Sequence, residues 1–346
     1  MGLKGFTYSG TAWMPLVIML FLYACSRETE GPEKPVPDLL TIPPGFPEMP
    51  FPKDNELTVQ RWQLGKKLFY DPVLSVDGTL SCASCHQASL AFADDKAFSP
   101  GVMSRPGVRN APSLANVGYH PYYLREGSVP TLEMQVLVPI QEQNEFAHDI
   151  LTIAKVLKED SVYVKMSREA YKREPDPYVI TRALSTFQRT LVSGNSPFDQ
   201  FYYQGNQAAL SESARRGMTL FFSERTQCSS CHGGFNFTDY SFRNNGLERK
   251  YNDPGRMRFT GKSEDEALFK VPSLRNVELT APYMHNGSLH TLQEVVDHYN
   301  SGGKAHPNQS SLVRPLGLNE AEKTDLVIFL KSLTDKEFVS NPLFKP

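Results

Sequence analysis

The chain has 346 residues, 40% of them apolar and 21% charged, with a formal net charge of −2. That length admits two domains of ordinary size, and the apolar share is enough to build packed cores. No run of basic residues stands out, which argues against nucleic acid as a partner.

Lys4 precedes an apolar run from Ala12 to Ala24 that is too short to span a bilayer comfortably. The tetrad Leu22-Tyr23-Ala24-Cys25 resembles a bacterial lipobox, although Tyr23 is bulkier than that pattern usually takes. The expectation is a lipoprotein-type signal peptide over residues 1–25, cleaved before Cys25, with a lipid anchor on that cysteine. An ordinary signal peptide or an uncleaved anchor would equally put the mature chain on the periplasmic side of a bacterial envelope. Residues 26–50 are rich in proline (Pro32, Pro35, Pro37, Pro43, Pro44, Pro47, Pro50) and read as a tether.

Of the five cysteines, four lie in Cys82-Ala83-Ser84-Cys85-His86 and Cys228-Ser229-Ser230-Cys231-His232. C-x-x-C-H is the pattern of c-type haem attachment: both thiols add to one haem, and the tethered histidine reaches its iron. A thioredoxin-like redox pair needs no such histidine, and zinc clusters usually space their ligands otherwise. Two copies imply two covalently bound haem c groups, with His86 and His232 as proximal iron ligands.

A repeat frames these motifs. Gly65-x-x-Leu68-Phe69 precedes the first and Gly217-x-x-Leu220-Phe221 the second. Pro112-Ser113-Leu114-Ala115-Asn116-Val117 returns as Pro272-Ser273-Leu274-Arg275-Asn276-Val277, and Gly127-Ser128-Val129-Pro130-Thr131-Leu132 as Gly287-Ser288-Leu289-His290-Thr291-Leu292. The chain therefore reads as a duplicated, mainly α-helical unit: two tandem c-type cytochrome domains with long loops, over residues 51–205 and 206–346. Helices are predicted after Asp176-Pro177, after Ser211, after Thr291 and after Asn319, each from a capping residue followed by an apolar stripe. No run of alternating strand residues appears.

The ligand opposite each histidine decides whether an iron relays electrons or meets a substrate. In the second half, Leu292, Val295, Val296 and Tyr299 share one helix face, so Tyr299 points inward; by spacing alone the preferred reading is a core tyrosine. In the first half, Leu132, Gln135 and Val136 share a face, and Glu145 follows in a loop opened by Pro139. Gln135 and Glu145 would suit a distal acid–base pair acting on peroxide, or equally a surface amide and a solvated carboxylate. His148, His298 and His306 read as surface residues, and His285 as a structural group near a haem.

Taken in order, the first C-x-x-C-H, Arg109-Asn110-Ala111-Pro112-Ser113-Leu114, Leu132-x-x-Gln135, Pro139 to Glu145, the second C-x-x-C-H, Leu279-Thr280-Ala281-Pro282-Tyr283-Met284-His285-Asn286-Gly287 and the Thr291-Leu292 helix resemble the bacterial di-haem cytochrome c peroxidases and their MauG-type relatives. The likeness runs over about residues 50–335. It implies a peroxidatic haem in the first half, an electron-transfer haem in the second, and Gln135 and Glu145 as the catalytic distal pair. It also implies a calcium ion held by the Asn110 side-chain oxygen and the carbonyls of Thr280 and Pro282. Three positions depart from the pattern. Val102 stands where many members carry a displaceable histidine, so the first iron is expected to be open without reductive activation. Tyr299 stands where a methionine closes the second iron, as in the MauG type, with Met284 as the runner-up ligand. The inter-haem tryptophan is missing: Arg125 and Glu126 precede Gly127, leaving Tyr122 or Tyr123 as an alternative electron route.

These readings lead to an enzyme, a di-haem peroxidase that reduces hydrogen peroxide with electrons from a small periplasmic donor such as a monohaem cytochrome c. One alternative is a MauG-type oxidase that modifies a protein side chain through high-valent iron. The other is a non-enzymatic electron-transfer cytochrome, against which Gln135 and Glu145 argue. The oligomeric state stays open, and a homodimer is among the partners admitted.

Overall fold

The computed structural model describes residues 1–5 and 38–346. Cys25, residues 6–24 of the signal segment and residues 26–37 of the proline-rich stretch therefore lie outside the described residues. Residues 38–346 form one compact unit. It is mainly helical, built from α1 (Val59–Tyr70), α2 (Leu132–Gln135), α3 (Leu137–Gln141), α4 (Ile150–Glu159), α5 (Ser161–Tyr171) and α6 (Pro177–Arg189). The second half contributes α7 (Pro197–Tyr202), α8 (Glu212–Phe221), α9 (Met257–Thr260), α10 (Leu292–Ser301), α11 (Glu320–Lys331) and α12 (Lys336–Ser340). Among the described residues, strand pairing amounts to β1 (Phe242–Arg243) against β2 (Phe269–Lys270) and a few isolated bridges.

Helix starts follow the capping chemistry. Asp176 accepts from the Val179 amide with Pro177 at the first helical position, and Ser211 accepts from the amide of Ala214. Thr291 with Glu294, and Asn319 with Glu322, close reciprocal capping boxes. Each satisfies amides that the first turn leaves unpaired, typically for about 1 kcal/mol.

The repeated glycines explain the pairing of helices. A β-carbon on Gly65 would lie 1.9 Å from the Ala183 carbonyl oxygen, and one on Gly217 would lie 2.0 Å from that of Asp325. Only a residue without a β-carbon lets α1 cross α6, and α8 cross α11, at backbone contact. Leu64, Leu68 and Phe69 of α1 then bury against Ile180, Leu184 and Phe187 of α6, and Phe221 of α8 buries against Phe329 of α11. Each such side chain contributes about 1.5–3 kcal/mol through removal from water.

The core falls into two main apolar clusters, one around α1 and α6 and one around α8 and α11. The C-terminal tail belongs to the first: Phe338 and Phe344 pack on Phe92 at ring distances of 5.8 and 6.1 Å. At the seam the two repeat asparagines converge. Asn116 brackets the Ser193 backbone, accepting from its amide at 2.8 Å and donating to its carbonyl at 2.9 Å, while Asn276 donates to the Ser193 hydroxyl at 2.9 Å. Asp335 accepts from the Ser193 hydroxyl and from the amides of Gly194 and Asn195. A buried Asp199–Arg275 ion pair lies alongside.

The last stretch of the expected tether does not hang free. Phe46 packs edge-on to Phe235 at 4.8 Å with the Arg275 guanidinium 4.6 Å from its ring, and Tyr119 donates to the Pro47 carbonyl. Proline count marks a chain without helix but cannot tell a free one from one pinned by its aromatic neighbours.

Candidate active site

Both C-x-x-C-H segments begin as a short 3-10 turn, Cys82–Ser84 and Cys228–Ser230. The turn closes with the His86 amide donating to the Cys82 carbonyl at 3.0 Å and the His232 amide to the Cys228 carbonyl at 2.9 Å. None of these four cysteines is joined in a disulfide. Burial raises the thiols, Cys82 to about 12 and Cys85 to about 11.

Each histidine is held by its Nδ1. His86 Nδ1 lies 2.8 Å from the Phe92 carbonyl and His232 Nδ1 lies 3.2 Å from that of Phe237. The carbonyls of Pro112 and Pro272, which open the Pro-Ser-Leu repeat, also face these rings. A carbonyl partner fixes the proton on Nδ1 and leaves the Nε2 lone pair for a metal. Burial also lowers both imidazoles, which keeps them neutral. Paired thiols and an oriented neutral imidazole, twice over, fit a covalently attached haem at each motif.

Glu145 faces the first motif. The residue is exposed, yet enough protein surrounds the carboxyl that desolvation, and then repulsion from Glu142, push it up to about 7. Its charge is felt at Cys82 and at Cys85. Gln135 is the last residue of α2, half-buried between the buried Leu132 and Val136. Val102 is fully buried, and its amide donates to the Glu145 carbonyl at 2.9 Å. The loop that carries Val102 is thus docked on the Glu145 loop. Met103 beside it is turned out, at 67% exposure.

Tyr299 faces the second motif. Burial pushes its phenol up to about 12, a hydrogen bond with Asn245 pulls the other way, and the thiols of Cys228 and Cys231 are close enough to act on it. Met284 converges on the same place, its sulfur 3.1 Å from the Asn245 amide nitrogen. Asn245 is in turn steadied by Tyr251, whose hydroxyl lies 3.4 Å from its side-chain oxygen, and by His298, whose Nε2 lies 3.0 Å from its carbonyl. Neither Asn245 nor the part played by His298 was visible in the sequence. His298 reads in the sequence as a surface residue on a different helix face from Tyr299.

The sequence profile described as di-haem cytochrome c peroxidase matches residues 59–208. Methylamine utilization protein MauG of Methylorubrum extorquens is 38% identical over 289 residues, which covers 82% of this chain and 81% of that one. The chain belongs to the di-haem cytochrome c peroxidase family. Cytochrome c551 peroxidase of Pseudomonas aeruginosa is 31% identical, covering 88% of this chain and 84% of the relative. A crystal structure of a MauG-like protein associated with microbial copper homeostasis superposes with a TM-score of 0.81 at 33% identity, over 90% of this chain and 98% of that one. As a family member the chain is an oxidoreductase, and family and motifs together imply two haem c groups.

Where the family likeness led to a tryptophan, Arg125 is held by Asn110. Its Nη2 donates to the Asn110 main-chain oxygen at 2.7 Å and to the side-chain oxygen at 3.0 Å. The loop of Thr280 and Pro282 comes to the same spot, since the Asn110 amide donates to the His285 carbonyl at 2.9 Å. The His285 ring stacks on Phe269 at 4.3 Å. Tyr122 reaches across the seam, donating its hydroxyl to the Tyr240 carbonyl and stacking on Phe242 at 5.2 Å. Tyr123 is buried beside His120.

Proposed function

We propose that this family member reduces hydrogen peroxide to water at the Cys82–Cys85–His86 motif, using electrons that enter at the Cys228–Cys231–His232 motif. When bound, the haem groups supply the iron centres that hold oxidant and pass electrons. The remaining work falls to the chain. Glu145 Oε takes a proton from peroxide and returns it to the departing oxygen, and the Gln135 amide orients the substrate by hydrogen bonding. The observation that carries this reading is a carboxyl poised near neutrality beside the first pair of thiols. The second is the docked Val102 loop, which brings no histidine to that side. In the second half, Tyr299, with Asn245 as its hydrogen-bond partner, would hold the haem iron together with His232, and Met284 is the alternative. The electron donor is a small periplasmic protein such as a monohaem cytochrome c, and a lipid on Cys25 would keep the enzyme at the membrane. Among the described residues no helix is long and apolar enough to cross a membrane.

Tyr299 also favours a second reading, in which the electrons come from a side chain of a partner protein, as in the MauG type. A phenolate oxygen stabilises ferric and higher-valent iron more than a thioether does. The test is peroxide turnover by the di-haem protein with either a reduced monohaem cytochrome or a candidate protein substrate. Donor oxidation at two electrons per peroxide supports the first reading, and a covalent mass change on the protein substrate supports the second. Six-coordinate spectra at both irons that ignore peroxide would defeat both.

A further inference from the structure

We propose that Arg125 is the resident cation at the seam between the two halves, and that the chain holds no calcium there. This goes beyond the proposed reaction and holds whichever donor supplies the electrons. The family likeness offers calcium three oxygens, from the Asn110 side chain and the Thr280 and Pro282 carbonyls. The donor that distinguishes this set, the Asn110 side-chain oxygen, already accepts from Arg125 Nη2 at 3.0 Å. The Asn110 Nδ2 donates to the Lys96 carbonyl at 3.0 Å, which turns the amide so that its oxygen faces the guanidinium. The Asn110 main-chain oxygen accepts from Arg125 Nε at 3.2 Å and from Nη2 at 2.7 Å. Both oxygens of the residue are committed to one cation.

Nothing nearby compensates a further dication. Calcium takes six to eight oxygens, usually with carboxylates among them. The carboxylates here are engaged: Asp253 holds Arg109 at 2.7 and 2.9 Å, and Glu126 pairs with Arg109 and accepts from Ser128. Lys270 adds another cation, its Nζ donating to the Tyr122 carbonyl at 2.8 Å. Arg125, Arg109 and Lys270 thus outnumber Glu126 and Asp253, and like charges would repel a metal ion. Burial and the neighbouring Arg109 lower Arg125 to about 10, which leaves it charged at neutral pH. The main chain at Arg125 and Glu126 also joins the halves. Its carbonyl accepts from the Lys270 amide on β2 at 2.7 Å, and Arg256 donates to the Glu126 carbonyl at 2.8 Å. The guanidinium that fills the Asn110 oxygens is part of the chain, so the positive charge at this spot needs no metal supply and cannot be removed by a chelator.

The test is elemental analysis of the purified di-haem protein after desalting, with optical and EPR spectra before and after EGTA. The expected result is calcium far below one ion per chain and spectra that EGTA leaves unchanged. One calcium per chain retained through desalting, or a haem signal altered by EGTA, overturns the proposal. Arg125→Ala adds a readout that a merely structural role would not move. In calcium-free buffer it should melt below the wild type, and millimolar calcium should restore part of the loss where sodium chloride of equal ionic strength does not. A loss that calcium restores no better than sodium also overturns the proposal.

Discussion

Replacing Glu145 with glutamine keeps the size of the side chain and its hydrogen-bonding capacity while removing its titratable proton. Burial and then Glu142 lift the carboxyl from its ordinary value of 4.5 to about 7. About a tenth of molecules would then carry the carboxylate at pH 6, about half at pH 7 and about nine-tenths at pH 8. If the carboxylate takes the peroxide proton, kcat/KM for peroxide should rise roughly tenfold from pH 6 to pH 8 and then level off. Glu145→Gln should abolish that rise and lower kcat/KM at pH 8 by about 10²–10⁴-fold, equivalent to about 3–5 kcal/mol of barrier. Stopped-flow measurement of peroxide consumption across this pH range, with reduced donor in excess, reads both quantities. Stability should move with opposite sign. A carboxyl raised in the folded state stabilises fully below its ordinary value, and the contribution is lost as pH climbs through about 7. Above that pH the glutamine variant should therefore melt no lower than the wild type, so lost activity cannot be ascribed to lost fold. A flat wild-type profile between about pH 6 and 8, or a variant that keeps the rising limb, refutes the reasoning.

Tyr299→Phe should remove the low-spin ferric EPR signal of the second haem while Met284→Leu leaves it in place; the reverse pattern would make Met284 the ligand. Asn245→Ala should shift that signal without abolishing it, because Asn245 touches both groups. Arg275→Ala should cost about 3–5 kcal/mol in denaturant unfolding, since it strands Asp199, whose side chain is 1% exposed, without its partner; a change below about 1 kcal/mol would show that water relieves the charge. Gly217→Val should lower the melting temperature by forcing α8 off α11, at a cost of about 1–3 kcal/mol or more, because its β-carbon would lie 2.0 Å from the Asp325 oxygen.

Some of this molecule is legible along a few consecutive residues. The two C-x-x-C-H segments define haem attachment because thiol, thiol and imidazole are fixed by the tightness of one turn. The starts at Asp176, Ser211, Thr291 and Asn319 are legible because a cap bonds to an amide two or three residues on. The repeat was visible as spelling, but its purpose was not. Gly65 and Gly217 prove to be backbone crossings, Pro112 and Pro272 present carbonyls to His86 and His232, and Asn116 and Asn276 meet at Ser193.

The sequence by itself determined the haem chemistry, the helical character and the doubling, since each is encoded within one turn or one helix face. Only the folded chain shows which residues gather around each motif and what fills the seam. Asn245 meets Met284 and Tyr299 from three separate segments, and Arg125 meets Asn110 across a loop. The physical reason is reach. Hydrogen bonding acts over about 3 Å, so its partners are set by where folding brings distant segments, and spacing along the chain carries no record of that distance.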